Sequence, residues 1–88
     1  MKLEFRSSFA RDLKSIKDKD LLKRVRGIIE EVERTTSPTE ISNLKKLKGR
    51  GDYYRIRIRD YRLGITLAGD ILVFVRFLNR KDIYKYFP

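Results

Sequence analysis

The chain has 88 residues, with 22 Lys or Arg against 12 Asp or Glu and a formal charge of +10. That length suits one domain, since domains run from about 50 to 250 residues, and a hydrophobic share of 41% can fill one small core. Cys and His are both absent, which excludes a disulfide scaffold, a zinc finger, a Cys nucleophile and any His acid–base pair.

In chain order, Leu3 and Phe5 alternate with polar neighbours and predict a short first strand. Ser7 or Ser8 can cap a first helix running to Asp18, with Phe9, Leu13 and Ile16 on one side. Asp18-Lys19-Asp20 interrupts the pattern and supplies a second cap. From Leu21 to about Arg34, the residues Leu21, Val25, Ile28 and Val32 make one apolar stripe, which predicts an amphipathic helix. Two helices joined so tightly should pack as an antiparallel hairpin. Thr35-Thr36-Ser37-Pro38-Thr39 ends the second helix, and a turn is expected around Leu44 and Leu47. Lys48-Gly49-Arg50-Gly51-Asp52 reads as a flexible basic loop.

The apolar period then shortens to two. Tyr54, Ile56 and Ile58 alternate with arginines, and Tyr61, Leu63, Ile65 and Leu67 continue the alternation after Asp60. Gly69-Asp70 signals a hairpin, and Ile71–Leu78 is apolar on both faces apart from Arg76, as in a central strand. Arg80–Phe87 reads as a short helix or tail. The expected fold is a single α+β domain over residues 1–88, with an N-terminal strand and a helical hairpin packed on an antiparallel β-sheet. No apolar run reaches the roughly 18 residues of a membrane span. Nor does the N-terminus read as a signal peptide, so a soluble, cytoplasmic protein is expected.

The charge is unevenly placed. Residues 1–44 carry 10 basic and 8 acidic side chains, whereas residues 45–88 carry 12 basic and 4 acidic ones. Such one-sided charge works against folding, so it points to a polyanionic partner, a nucleic acid or an acidic protein segment. If Arg59-Asp60 is a two-residue loop, Ile58 faces Tyr61 and Ile56 faces Leu63 on the helix side. The other side then sets Arg57 opposite Arg62 and Arg55 opposite Gly64. Like charges directly opposite destabilise a sheet. Guanidiniums on one face, beside a glycine that permits close approach, suit a phosphate held by forked, bidentate contacts. A merely solvated polar face is the alternative, and a one-residue slip of register would scatter the arginines.

The chemistry open to such a face is narrow. Asp52, Asp60, Asp70 and Asp82 are scattered singly, which argues against a two-metal nuclease and for no metal or cofactor. What remains is RNA cleavage by the substrate's own 2′-OH, with arginines as an electrostatic clamp on the reacting phosphate.

The ordered segments Phe9-Ala10-Arg11-Asp12-Leu13, Leu44-Lys45-Lys46-Leu47-Lys48-Gly49, Tyr54-Arg55-Ile56-Arg57-Ile58, Asp60-Tyr61-Arg62-Leu63 and Asn79-Arg80-Lys81-Asp82-Ile83-Tyr84 resemble the RelE branch of the RelE/ParE toxin superfamily. The likeness covers nearly the whole chain. It implies the toxin of a type II toxin–antitoxin system, a ribosome-associated mRNA endonuclease silenced by a small acidic antitoxin, the complex binding operator DNA through that antitoxin. By the same resemblance Arg55 and Arg57 take the positions of basic catalytic residues. Arg62 matches the arginine on the scissile phosphate, Arg80 the basic residue after the last strand, and Tyr84 the tyrosine that orients a base. Lys45, Lys46, Lys48, Arg50, Arg59 and Lys81 are assigned to RNA or ribosome binding. Many relatives carry His where this chain has Asn79, which cannot shuttle a proton. A ParE-like gyrase inhibitor, or a non-catalytic basic binding module, is the alternative on the same fold.

Overall fold

The computed structural model describes residues 1–47 and 51–87. The elements run β1 (Lys2–Phe5), α1 (Ser7–Lys14), α2 (Lys19–Arg34), a 3₁₀ turn (Pro38–Glu40), β2 (Leu44–Lys46), β3 (Tyr53–Ile58), β4 (Tyr61–Ala68), β5 (Ile71–Asn79) and α3 (Arg80–Tyr86). Asp18 caps α2 as expected, its side chain accepting from the N–H groups of Asp20 at 3.0 Å and Leu21 at 3.1 Å. The first helix ends at Lys14, four residues short of the expected Asp18, and neither Ser7 nor Ser8 caps it. Ser8 instead donates its hydroxyl to the Val75 carbonyl at 2.6 Å. The turn expected around Leu44 contains a three-residue edge strand, β2.

The five strands lie in the order β1-β5-β4-β3-β2. The pairs β2–β3, β3–β4 and β4–β5 are antiparallel, but β1 joins β5 in parallel, so the sheet is mixed. The reason lies in the connection. Between β1 and β5, its one neighbour, the chain passes through two helices and three other strands, and so long a connection can return it parallel where a tight turn cannot. The β3–β4 register is the one the alternation requires: Ile58 pairs with Tyr61, Arg57 with Arg62 and Arg55 with Gly64.

One face of this sheet packs against α1 and α2. Phe9, Leu21, Val25 and Val32 from the helices meet Ile56, Ile58, Leu63, Ile65, Leu72, Phe74 and Phe77 from the sheet, all buried. Each such side chain contributes about 1.5–3 kcal/mol by leaving water, which is what holds hairpin and sheet together. Because strand side chains alternate, Val73 and the arginines belong to the opposite face. There α3 folds back, and Ile83 and Phe87 are buried, as is Val73.

Two irregularities shape the far end of β5. Gly64 pairs with Arg76 but Ile65 with Phe74, which leaves Val75 as an extra residue, a β-bulge. β1 pairs with β5 only as far as Phe5 and Phe74. Beyond that point α1 takes up the open edge. Asp12 accepts from Arg76 Nε at 2.8 Å, Arg76 Nη2 at 3.2 Å and the Phe77 backbone N–H at 2.9 Å. Arg76, the one charge in an apolar strand, is therefore a structural residue, and its partner is Asp12 of α1. That hydrogen bond, ahead of the opposing effect of burial, raises the Arg76 pKa above the ordinary arginine value.

Candidate functional site

The β3–β4 hairpin and the start of α3 build the arginine face. Arg57 and Arg62 are directly paired, and Lys45 pairs with Arg55, which places Lys45 on the same face. Asn79 caps α3, its side-chain oxygen accepting from the Lys81 N–H at 3.0 Å. Arg80, the first residue of α3, donates its backbone N–H to the Asp60 carbonyl in the β3–β4 turn at 2.7 Å. Tyr84 stands one turn further along α3, and positions four apart share a helix face; its side chain is exposed.

Arg62 is the centre of the cluster. Burial, followed by the charges of Arg55 and Arg57, lowers its pKa from the ordinary arginine value; Tyr84 acts in the opposite direction and Arg80 adds to the lowering. All four neighbours thus stand close enough to act on one guanidinium. Its Nη1 donates to the carbonyls of Arg59 and Tyr61, each at 2.9 Å. Its Nε, and the Nε of Arg55, are buried with no partner among the described residues. A buried donor left unmade costs about 1–3 kcal/mol, more when charged. An anion between Arg55 and Arg62 would supply the missing acceptors and offset the crowding of positive charge. Among the described residues no three His, Cys, Asp or Glu side chains are placed to hold a metal ion.

Arg55, Arg57, Arg62, Arg80 and Tyr84 are therefore brought together, and Lys45 lies on their face. Lys46 and Arg59 do not join them. Lys46 pairs with Tyr54 and so emerges on the helix side of the sheet. Arg59 is drawn to the start of α2, where it forms ion pairs with Asp18 and Asp20. Lys81 is exposed on the first turn of α3. Lys48 and Arg50 lie outside the described residues.

Gly64 does not leave room for a ligand, contrary to the sequence expectation. A Cβ there would sit 2.8 Å from the ring of Phe87, which already occupies the space. Phe87 also meets the edge of Tyr53, with ring centroids 5.5 Å apart. Tyr61 stacks on Phe77 at 5.0 Å, so these aromatics serve packing. Tyr86 is exposed, its ring 6.0 Å from the Arg76 guanidinium carbon. The roles of Asp12, Asp18 and Asp20 as arginine partners were beyond sequence reasoning, because nothing in their spacing names the distant strand they reach.

A helical hairpin over one face of a five-stranded sheet is the fold this chain shares with a solved toxin of a toxin–antitoxin pair. The family described as the ParE toxin of type II toxin–antitoxin systems, parDE, matches residues 3–84, and the chain belongs to it. Its relatives include Toxin RelE3 of Methanocaldococcus jannaschii, 44% identical over 89 aligned residues that cover 100% of both chains. The crystal structure of a RelB-RelE antitoxin-toxin complex from Methanococcus jannaschii superposes with a TM-score of 0.83 at 42% identity, covering 97% of this chain and 99% of that one. An archaeal RelE-RelB complex from Pyrococcus horikoshii OT3 shares the fold, with a TM-score of 0.72 at 23% identity over 90% of this chain and 93% of the other. No helix among the described residues is long and apolar enough to cross a membrane.

Proposed function

We propose that this toxin is a ribosome-associated endoribonuclease that stops translation by cutting mRNA without a metal ion. The observation that supports this reading most is the buried, unpartnered Nε of Arg55 and of Arg62 on a face where Arg57 and Arg80 crowd the same charge. In the reaction the substrate's 2′-OH attacks the adjacent phosphorus, and the bond to the 5′-oxygen of the next nucleotide breaks. The products are a 2′,3′-cyclic phosphate and a 5′-hydroxyl. Arg55 and Arg62 hold the non-bridging oxygens, while Arg57 and Arg80 add field as negative charge grows in the transition state. Removing one such donor from a preorganised site typically lowers the rate by about 10²–10³-fold. Tyr84, exposed beside Arg80, orients a base by stacking. Asn79 is occupied as the cap of α3, so proton transfer is left to solvent or to groups the ribosome supplies.

The partner that silences it is an antitoxin, by analogy with the RelB-RelE antitoxin-toxin complex; the basic face calls for a small acidic one, and the pair binds operator DNA through it. Purified toxin added to an in vitro translation reaction should cut the message, with chelators leaving the rate unchanged and products ending in a cyclic phosphate. Intact message, or products bearing a 5′-phosphate, counts against the proposal. The family description also names ParE, which favours gyrase inhibition as the second reading. A supercoiling assay separates the two: inhibited gyrase together with uncut RNA selects the second.

A further inference from the structure

The β3–β4 turn is built from an unexpected residue. Two-residue hairpin loops favour Asn-Gly or Asp-Gly, whose residues accept a positive φ. Here Arg59 holds φ 54, a strained choice for a long side chain. What that conformation achieves is visible at both ends of the residue. The side chain reaches the start of α2, Nη1 donating to Asp18 at 3.4 Å and Nη2 to Asp20 at 2.5 Å. The backbone carbonyl meanwhile accepts from Arg62 Nη1 at 2.9 Å. The next two carbonyls of the same turn work alongside it: Asp60 holds the Arg80 N–H and Tyr61 shares Arg62 Nη1.

From this we infer that Arg59, gripped by Asp18 and Asp20, is a positioning residue: its ion pairs fix the turn whose carbonyls aim Arg62 at the anion. The inference deepens the proposed function, because it rests on Arg62 as a phosphate ligand. The three side chains are 42%, 52% and 65% exposed, so they add little to stability. One planar guanidinium held by two carboxylates nevertheless restricts the angle of a short turn strongly. With Nη1 tied down, the Nε of Arg62 stays buried with no partner among the described residues. Loosening the latch lets that group swing while leaving every charge of the cluster in place. Arg59 thus changes role from the sequence expectation: it supports the site without touching the substrate.

The test uses Asp18→Asn with Asp20→Asn in the full chain. Asn keeps the α2 cap, because its carbonyl oxygen accepts the same N–H groups. The single-turnover cleavage rate should fall about fivefold while half-saturation shifts by less than about twofold, the signature of lost transition-state alignment rather than lost binding. In an Arg62→Ala background the same pair of changes should have no further effect, and Arg59→Lys, which keeps the charge, should restore part of the rate that Arg59→Ala loses. An unchanged rate, or an equal loss with and without Arg62, overturns the latch. A second readout does not depend on cleavage: the ¹⁵N resonance of Arg62 Nε–H, titrated with inorganic phosphate, should be sharp in the wild type and broadened in the double variant. If the wild type cuts no RNA, the nuclease reading fails, whereas identical Arg62 resonances in the two proteins sink the latch itself.

Discussion

Replacing Arg57 with Thr isolates what the arginine cluster costs the fold. Arg57 stands directly opposite Arg62, and like charges at such a pair destabilise a sheet by roughly 0.2–1 kcal/mol. Arg62 feels this most, since burial and then Arg55 and Arg57 already disfavour its charged form. A cation whose folded pKa is lowered carries its penalty at every pH below that value, and sheds it only as pH rises through the arginine range. At neutral pH the penalty is therefore undiminished. Thr retains a β-branched side chain suited to a strand and adds no charge. The variant should gain about 0.5 kcal/mol, which in a domain of this size raises Tm by about 2–4 °C. Cleavage should drop at least about tenfold, because the clamp loses one positive charge. Melting curves with and without inorganic phosphate at low salt provide the check. Phosphate should raise the Tm of the wild type more than that of the variant, because the bound anion discharges a repulsion the variant lacks. A variant less stable than the wild type, or an equal phosphate shift in both, would refute the reasoning.

Asp12→Ala strands the Arg76 guanidinium and the Phe77 N–H together, so it should cost about 3 kcal/mol, read as a lower urea midpoint at constant slope. A loss under about 1 kcal/mol would class Arg76–Asp12 with ordinary surface pairs. Gly64→Ala places a methyl group where the Phe87 ring lies and should destabilise by about 1–3 kcal/mol. Phe87→Ala should then cost less in the Gly64→Ala background than in the wild type, which a double-mutant cycle measures. The cleavage rate should show no inflection near the reference histidine pKa of about 6.5, because the chain has no His and its clamp arginines stay charged. A step in the pH–rate profile there would point to a titrating group that this site does not contain.

What could be read from the residues was whatever a local period encodes. The alternation from Tyr54 to Leu67, broken once at Arg59-Asp60, assigns every side chain to a face, so the convergence of Arg55, Arg57 and Arg62 follows from counting. The stripe of α2 and the Asp18 cap are local in the same sense. β1 has only two apolar residues, and its direction is set by a partner some seventy positions away, roughly the whole domain in sequence terms. β2 is three residues long, too short for a period to show. The bulge at Val75 is a single unpaired residue in an otherwise regular apolar strand. Arg59 and Arg76 look like free cations in the sequence because their carboxylates sit on α1 and α2, and only the packing of helices on the sheet brings them within reach. Phe87 eluded the site reading for the same reason: its seat over Gly64 requires α3 to fold back.

The position of β5 has a consequence for how the protein is made. It lies between β1 and β4, so β1 has no partner until β5 emerges, and Arg80 and Tyr84 come later still. Synthesis runs from the N-terminus at about 5–20 residues per second. A nascent chain therefore carries no finished arginine cluster until the segment that follows β5 has been made.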